Sequence, residues 1–225
     1  GVFLPLLANS VIVAVIASLV ATVLGTMAAI GIRAMSGRMR RITMAVTNIP
    51  LTNPEIVTGV SLALLFAFAG QMMKLNNVLG FTTLLIAHIT FNLPYVILSV
   101  MPKLGQLDPN LLDAALDLGC TPVQAFFKVI IHEIMPGILS GVVLAIGRIV
   151  GETAALLFTA GTVADMPKHF LLSSGRTLAV HMYQLSLEGL HYDQAYATGV
   201  VLLLLVLGLN SLSSLISRKI GGKAS

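Results

Sequence analysis

The sequence has no tryptophan, a single cysteine and few charges; only 10% of its residues are Asp, Glu, Lys or Arg. An average soluble domain carries about 25%. So sparse a charged set cannot cover the surface of a soluble protein of 225 residues. The lone Cys120 excludes an internal disulfide framework. No glycine-rich loop ending in lysine is present, so the chain carries no ATP-hydrolysing apparatus of its own. No Ser/His/Asp order or paired-carboxylate spacing marks a catalytic centre. His132, His169, His181 and His191 lack metal-ligand spacing, so no metal is assigned. No charged segment precedes the first apolar run, which reads as a membrane crossing and not as a cleaved leader. The chain opens on Gly1, which reads as a piece of a longer protein.

What the sequence does have is apolar length: 56% of it is hydrophobic. Five runs, at 3–32, 42–68, 81–101, 134–161 and 195–216, exceed the roughly 20 residues that cross a bilayer core. The expected fold is all-α: a polytopic transmembrane helical bundle of about five spanning helices, with residues 1–225 forming one domain. The second run is interrupted by Asn48-Ile49-Pro50 and Asn53-Pro54-Glu55. Proline removes a backbone donor and clashes with the preceding turn, so a break or kink is expected there. Glu55 would line a vestibule or sit at the interface; the residues alone do not separate these. Alternating sides gives one face nine basic residues: Arg33, Arg38, Arg40, Arg41, Lys103, Lys128, Arg218, Lys219 and Lys223. The other face receives three: Lys74, Lys168 and Arg176. That asymmetry puts the 102–133 loop and the C-terminus in the cytoplasm, and residues 162–192 outside.

The loop at 108–128 has explicit local chemistry. Asp108 is a good N-cap and Pro109 a good first helical residue. Gly119 is placed to end that helix in the left-handed conformation. Thr121 starts a second short helix, followed by Pro122, with Gln124 completing a capping box. Two short helices joined at a glycine elbow are expected, with Leu111, Leu112, Ala115, Leu118, Phe126 and Phe127 available for burial. On these signals alone an ordinary structured loop fits as well.

The wider spacing resembles a known signature. Asp113-Ala114-Ala115, three residues, Gly119, nine residues and Val129 are similar to the "EAA" pattern of permease subunits of bacterial ABC importers. The resemblance implies a permease, not an enzyme, in the inner membrane and surrounded by lipid. It implies two short helices that dock on an ATPase. The partners would be a homologous permease subunit, two ATP-binding cassette subunits and an extracytoplasmic solute-binding protein, with no nucleic acid. ATP and magnesium would sit on the ATPase partner, leaving no cofactor in this chain. Carried onto matching positions, the coupling residues are Asp108, Leu112, Asp113, Ala114, Ala115, Gly119, Thr121, Pro122 and Phe126. Asp113 departs from the usual Glu, and His132 stands where the family commonly has Pro.

Cargo divides the resemblance. Residues 9–145 are similar to spermidine/putrescine permeases, on the segments 26–31, 53–61, 87–96 and 108–119. From 147 onward the chain resembles phosphate permeases, on 147–154, 156–161 and 174–178. Arginine's planar fork binds oxyanions bidentately. Ionisable residues inside a membrane usually face a cavity or each other. Arg148, Glu152 and Thr153 are therefore the candidate substrate-path residues, with inorganic phosphate the expected cargo and polyamine the alternative. The plain structural reading is that Arg148 and Glu152, spaced i,i+4, lock helix packing. Readings from other classes are a secondary transporter with no ATPase partner, or a membrane scaffold; either leaves the elbow without a task. The pairs Gly137/Gly141 and Gly147/Gly151 read as close-packing faces, and His88 with Asn92 as interhelical hydrogen bonding.

Overall fold

A chain crossing lipid must satisfy its backbone hydrogen bonds internally, and helices do this segment by segment. The computed structural model describes residues 3–74, 79–153, 177–188 and 191–221. Among these the regular elements are helical: α1 Phe3–Ala34, α2 Gly37–Thr52, α3 Glu55–Met72, α4 Phe81–Gln106, α5 Leu111–Asp117 and α6 Pro122–Ala125. A π-helical turn, Phe126–Ile130, leads into α7 Ile131–Gly151; α8 Leu178–Glu188 and α9 Tyr192–Gly221 are the remaining described elements. Among the described residues five stretches are long and apolar enough to cross a membrane: Leu4–Ala34, Glu55–Met72, Phe81–Gln106, Pro122–Gly151 and Tyr192–Leu215. The all-α bundle expected from the runs is therefore present.

The centre of the bundle is α1, α4 and α7. Val13, Ala14 and Ala17 pack with Phe81, Leu84, Ala145, Ile149 and Val150; further along, Ala29 and Ile32 pack with Val96, Val100, Leu104 and Ile134. These pairings run α1 and α4 in the same direction and α7 against them. Small residues set the approach. A Cβ on Gly25 would lie 2.7 Å from Val96, and one on Gly137 would lie 2.8 Å from the Ser99 carbonyl and 3.2 Å from Val100 Cα. Gly141 meets Val96 from the other side at 3.4 Å. The 137/141 pair is thus a packing face. In the 147/151 pair only Gly147 is close to a neighbour, at Asn210, and Gly151 has open space.

Several boundaries differ from expectation, each for a physical reason. The second run does break, but only at Asn53-Pro54; α2 continues through Pro50 to Thr52. Near a helix end one lost bond is tolerable, and the helix stops where Asn53 turns extended (φ −80°, ψ 143°) before Pro54. Met44 of α2 packs with the 96–104 stretch of α4, while Leu62 of α3 packs on Ala87 and Phe91. The two pieces thus follow α4 past a mid-course discontinuity. The fourth crossing starts earlier and ends earlier than the 134–161 run: it spans Pro122–Gly151, and Glu152 is extended. Residues 156–161 and 162–176, which carry other expectations, lie outside the described residues. His88 Nδ1 lies 3.0 Å from Leu84 O and Asn92 Nδ2 donates to His88 O at 2.7 Å, so these bonds are within α4. The remaining polar atoms of the pair, His88 Nε2 and Asn92 Oδ1, are buried without hydrogen-bond partners, so the expected interhelical bond is not made by them.

Gly137→Ala should lower the thermal midpoint of the detergent-purified protein, by about 1–3 kcal/mol of overpacking. Gly31→Ala, where an added Cβ meets nothing within 4 Å, should leave the midpoint unchanged or raise it. Equal shifts for the two would contradict the close approach of α4 and α7.

Candidate functional site

The elbow is built by two capping motifs back to back. At the end of α5, Gly119 adopts φ +85°, a conformation that side-chain-bearing residues rarely take. This lets Cys120 N–H donate to Ala115 O at 3.1 Å and Gly119 N–H donate to Leu116 O at 2.9 Å, a Schellman closure. Two residues on, Thr121 Oγ1 accepts from Gln124 N–H at 3.3 Å while Gln124 Oε1 accepts from Thr121 N–H at 3.1 Å. That reciprocal pair is the capping box expected from the sequence.

Two expectations about the elbow are corrected. Asp108 is not the N-cap of α5. Its carboxylate accepts from Asn110 N–H at 2.8 Å, closing a turn before the helix, and Asn110 occupies the cap position. The second arm is also not a separate short helix. From Pro122 it runs through the π-helical turn into α7 without interruption, and His132 sits inside that continuous rod. A helix lacking proline at 132 has no reason to restart there. Ala115 and Ala125 are buried between the arms. Leu112, Leu118, Val123 and Phe127 point apolar surface outward, Leu118 being 87% exposed. Asp113, Ala114, Thr121 and Pro122 are exposed and Phe126 is half-buried against Phe127 in an edge-to-face pair. The tip is thus apolar and charge-edged, with Asp113 and Asp117 exposed beside these side chains.

The second feature lies well up the other end of α7. Arg148 Nη2 donates to Glu55 Oε1 at 2.5 Å and to Glu152 Oε2 at 3.4 Å. Its guanidinium also lies 4.5 Å from the ring centre of Tyr95, near the middle of α4. The i,i+4 partner is therefore the longer contact, and the shorter one reaches α3 across 93 residues of sequence. Glu152 is buried at the end of α7, whereas Glu55 is 44% exposed. Thr153 does not join them: its hydroxyl donates to Gly151 O at 3.4 Å. A cleft of about 430 Å³ opens beside the cluster, lined by Tyr95, Leu144, Gly147, Arg148 and Asn210 among others. The Asn210 amide oxygen and Arg148 Nε are buried without hydrogen-bond partners. The sequence marks Arg148 and Glu152 as candidates and leaves Glu55 between a vestibule and the interface; it does not single out Tyr95 or Asn210. The available signal was chemical: a carboxylate in an apolar run needs a cation, and Arg148 is the one basic residue inside a run.

Among the described residues the chain is thus a helical bundle with five stretches able to cross a membrane, an exposed elbow and an ion cluster that joins α3 to α7. The family model described as "Binding-protein-dependent transport system inner membrane component" matches residues 21–222, and the chain belongs to that family. A spermidine/putrescine permease homologue of Mycoplasma genitalium is 36% identical over 136 residues, covering 60% of this chain and 47% of that protein. The spermidine/putrescine permease of Haemophilus influenzae is 30% identical over 211 residues, 94% of this chain and 75% of its own. A sulfate transport permease of Salmonella typhimurium is 31% identical over 193 residues, 81% of this chain and 66% of that protein. None of these three is a phosphate permease. The chain spans about half the length of the mycoplasma relative. In fold it is similar to a chain of a bacterial alginate ABC transporter solved with a periplasmic protein: TM-score 0.74, 17% identity, 97% of this chain and 79% of that one.

Thr121→Ala removes one half of the capping box and should cost the elbow about 1 kcal/mol. Hydrogen exchange at the Gln124 amide should accelerate roughly fivefold, in line with that cost, while exchange in the centre of α4 stays unchanged. No acceleration at Gln124 would mean the cap does not hold the arm.

Proposed function

We propose that this chain is the permease half of an ATP-driven importer and that its cargo is a small organic polycation of the spermidine/putrescine class. The observation that carries the cargo is the state of Arg148. Its guanidinium is engaged by two carboxylates and stacked on an aromatic ring, so the cluster holds two negative charges to one positive. A site with surplus carboxylate and an aromatic face suits an ammonium group, which can replace Arg148 at Glu55 and over Tyr95. Two of the relatives described above are named for spermidine and putrescine, which supports the same reading. Phosphate, the cargo expected from Arg148 alone, loses its argument because two carboxylates already sit on Arg148 Nη2 and leave the cluster with surplus negative charge. An oxyanion cargo survives as a second reading on one observation, the buried Arg148 Nε without a partner, and on the sulfate relative.

In this reading residues 1–225 act as one permease domain. The elbow faces the cytoplasm, as does the C-terminus, because the basic residues gather on that side. Asp108, Leu112, Asp113, Ala114, Ala115, Gly119, Thr121, Pro122 and Phe126 make up the elbow that an ATP-binding cassette subunit engages, Ala115 from beneath its contact face, with ATP and magnesium held by that partner. A second permease subunit completes the pathway, and an extracytoplasmic binding protein delivers the solute. The continuous rod from Pro122 to Gly151 is 30 residues long and joins the elbow to Arg148, so a pull on one end is felt at the other.

Two outcomes test this. In proteoliposomes holding the full transporter, Glu55→Gln should reduce labelled spermidine uptake roughly tenfold or more, the scale of a lost charge-assisted hydrogen bond. Phosphate uptake driven by the same complex, or spermidine uptake indifferent to Glu55, would overturn the cargo. Separately, Gly119→Val forces a β-branched residue into positive φ, at roughly 1–2 kcal/mol of strain. It should leave the chain inserted and assembled while ATP hydrolysis no longer drives uptake.

A further inference from the structure

Between α1 and the first turns of the rod that ends in α7 lies an apolar trench of about 480 Å³. Val23, Met27 and Ile30 form one wall; Phe126, Phe127 and Ile131, from the π-helical turn and the start of α7, form the other. The trench opens outward, since Met27 and Phe127 are each about two-thirds exposed. At its floor Thr26 is buried, and its hydroxyl has no hydrogen-bond partner. The end of the trench toward the elbow is basic. Arg33 follows Ile30 by three residues on α1 and Lys128 follows Phe127, and both are exposed. Arg38 and Arg41 come next, just beyond the two-residue connection to α2, and are exposed as well. Among the described residues none of these four cations is in an ion pair.

We infer that this trench binds one anionic phospholipid, with an acyl chain laid along α1 against Phe126 and Phe127 and the phosphate held by Arg33 and Lys128. Two features select that occupant. The walls are almost wholly apolar, while exposed cations outside any ion pair follow directly on both lining elements, which matches the two ends of an anionic lipid. At about 480 Å³ the trench takes an alkyl chain along its length, whereas a helix 10–12 Å across would lie over it and leave it unfilled. The headgroup end, held at Lys128, would bear on the π-helical turn that joins the elbow to α7. A bound lipid would thus brace the element through which the elbow moves.

The test uses the chain within its purified transporter, in nanodiscs of phosphatidylcholine. Met27→Trp places an indole in the trench of a chain that otherwise has no tryptophan, and the unsubstituted complex supplies the background. Bromine-labelled phosphatidylglycerol should quench that indole at roughly one-tenth the mole fraction that labelled phosphatidylcholine needs, given two basic contacts. Replacing both Arg33→Gln and Lys128→Gln should erase the difference. Native mass spectrometry of the complex with Met27 intact provides a second readout: phosphatidylglycerol should be retained through detergent washing and lost in the Arg33→Gln, Lys128→Gln protein. Equal quenching by the two lipids overturns the proposal. So does quenching by neither, which would mean that protein covers the trench.

Discussion

Everything in this bundle depends on how closely α4 lets its neighbours approach. In lipid there is no hydrophobic drive to bring apolar helices together, so contact must come from packing. Val96 is the point where that packing is tightest. Gly25 of α1 presses on it from one side and Gly141 of α7 from the other, with Gly137 one turn further along against Ser99 and Val100. Adding a single carbon at Gly25 or Gly137 would place it under 3.0 Å from a neighbour. The glycines therefore fix the relative depth of three helices, and through them the positions of the two functional features.

Those features share one rod. Its lower end is tied into the elbow by the Thr121–Gln124 box and its upper part carries Arg148. About 45 Å of helix separates the ends. Because the rod is anchored along α4 by glycine contacts, a displacement of the elbow tilts or slides the rod as a unit. The Arg148–Glu55 contact is the first bond across to α3 that such a movement would stretch. The discontinuity at Asn53-Pro54 sits directly before Glu55, so α3 can shift without dragging α2. The π-helical turn stands at the other end of the rod, where one more loosely wound turn separates the elbow from the regular helix.

The elbow was readable with little loss because its information is local. Gly119 and the Thr121–Gln124 pair act on residues within five positions of themselves, so spacing alone specifies their bonds. Asp108 was misplaced by two residues, since its side chain closes a turn with the same i to i+2 bond that a cap would make. Continuity of the second arm with α7 was not legible, because a capped start looks the same whether the helix runs four residues or thirty. The break in the second crossing was readable, since proline chemistry is local too, though which of two prolines breaks the helix depends on how near the end it falls.

Arg148 marks the limit most clearly. Composition and residue order were enough to place an arginine inside a crossing and a carboxylate four residues on, and these alone made an anion the natural cargo. Only the tertiary arrangement brought Glu55 and Tyr95, 93 and 53 residues away, onto the same guanidinium and so reversed the charge balance of the site. The sequence by itself determined what acts within one helical turn: the crossings, the caps, the break and the basic face. Which charges meet was decided by packing between helices far apart in the chain. Electrostatic partnership depends on distance in space, and no periodicity along a sequence encodes it.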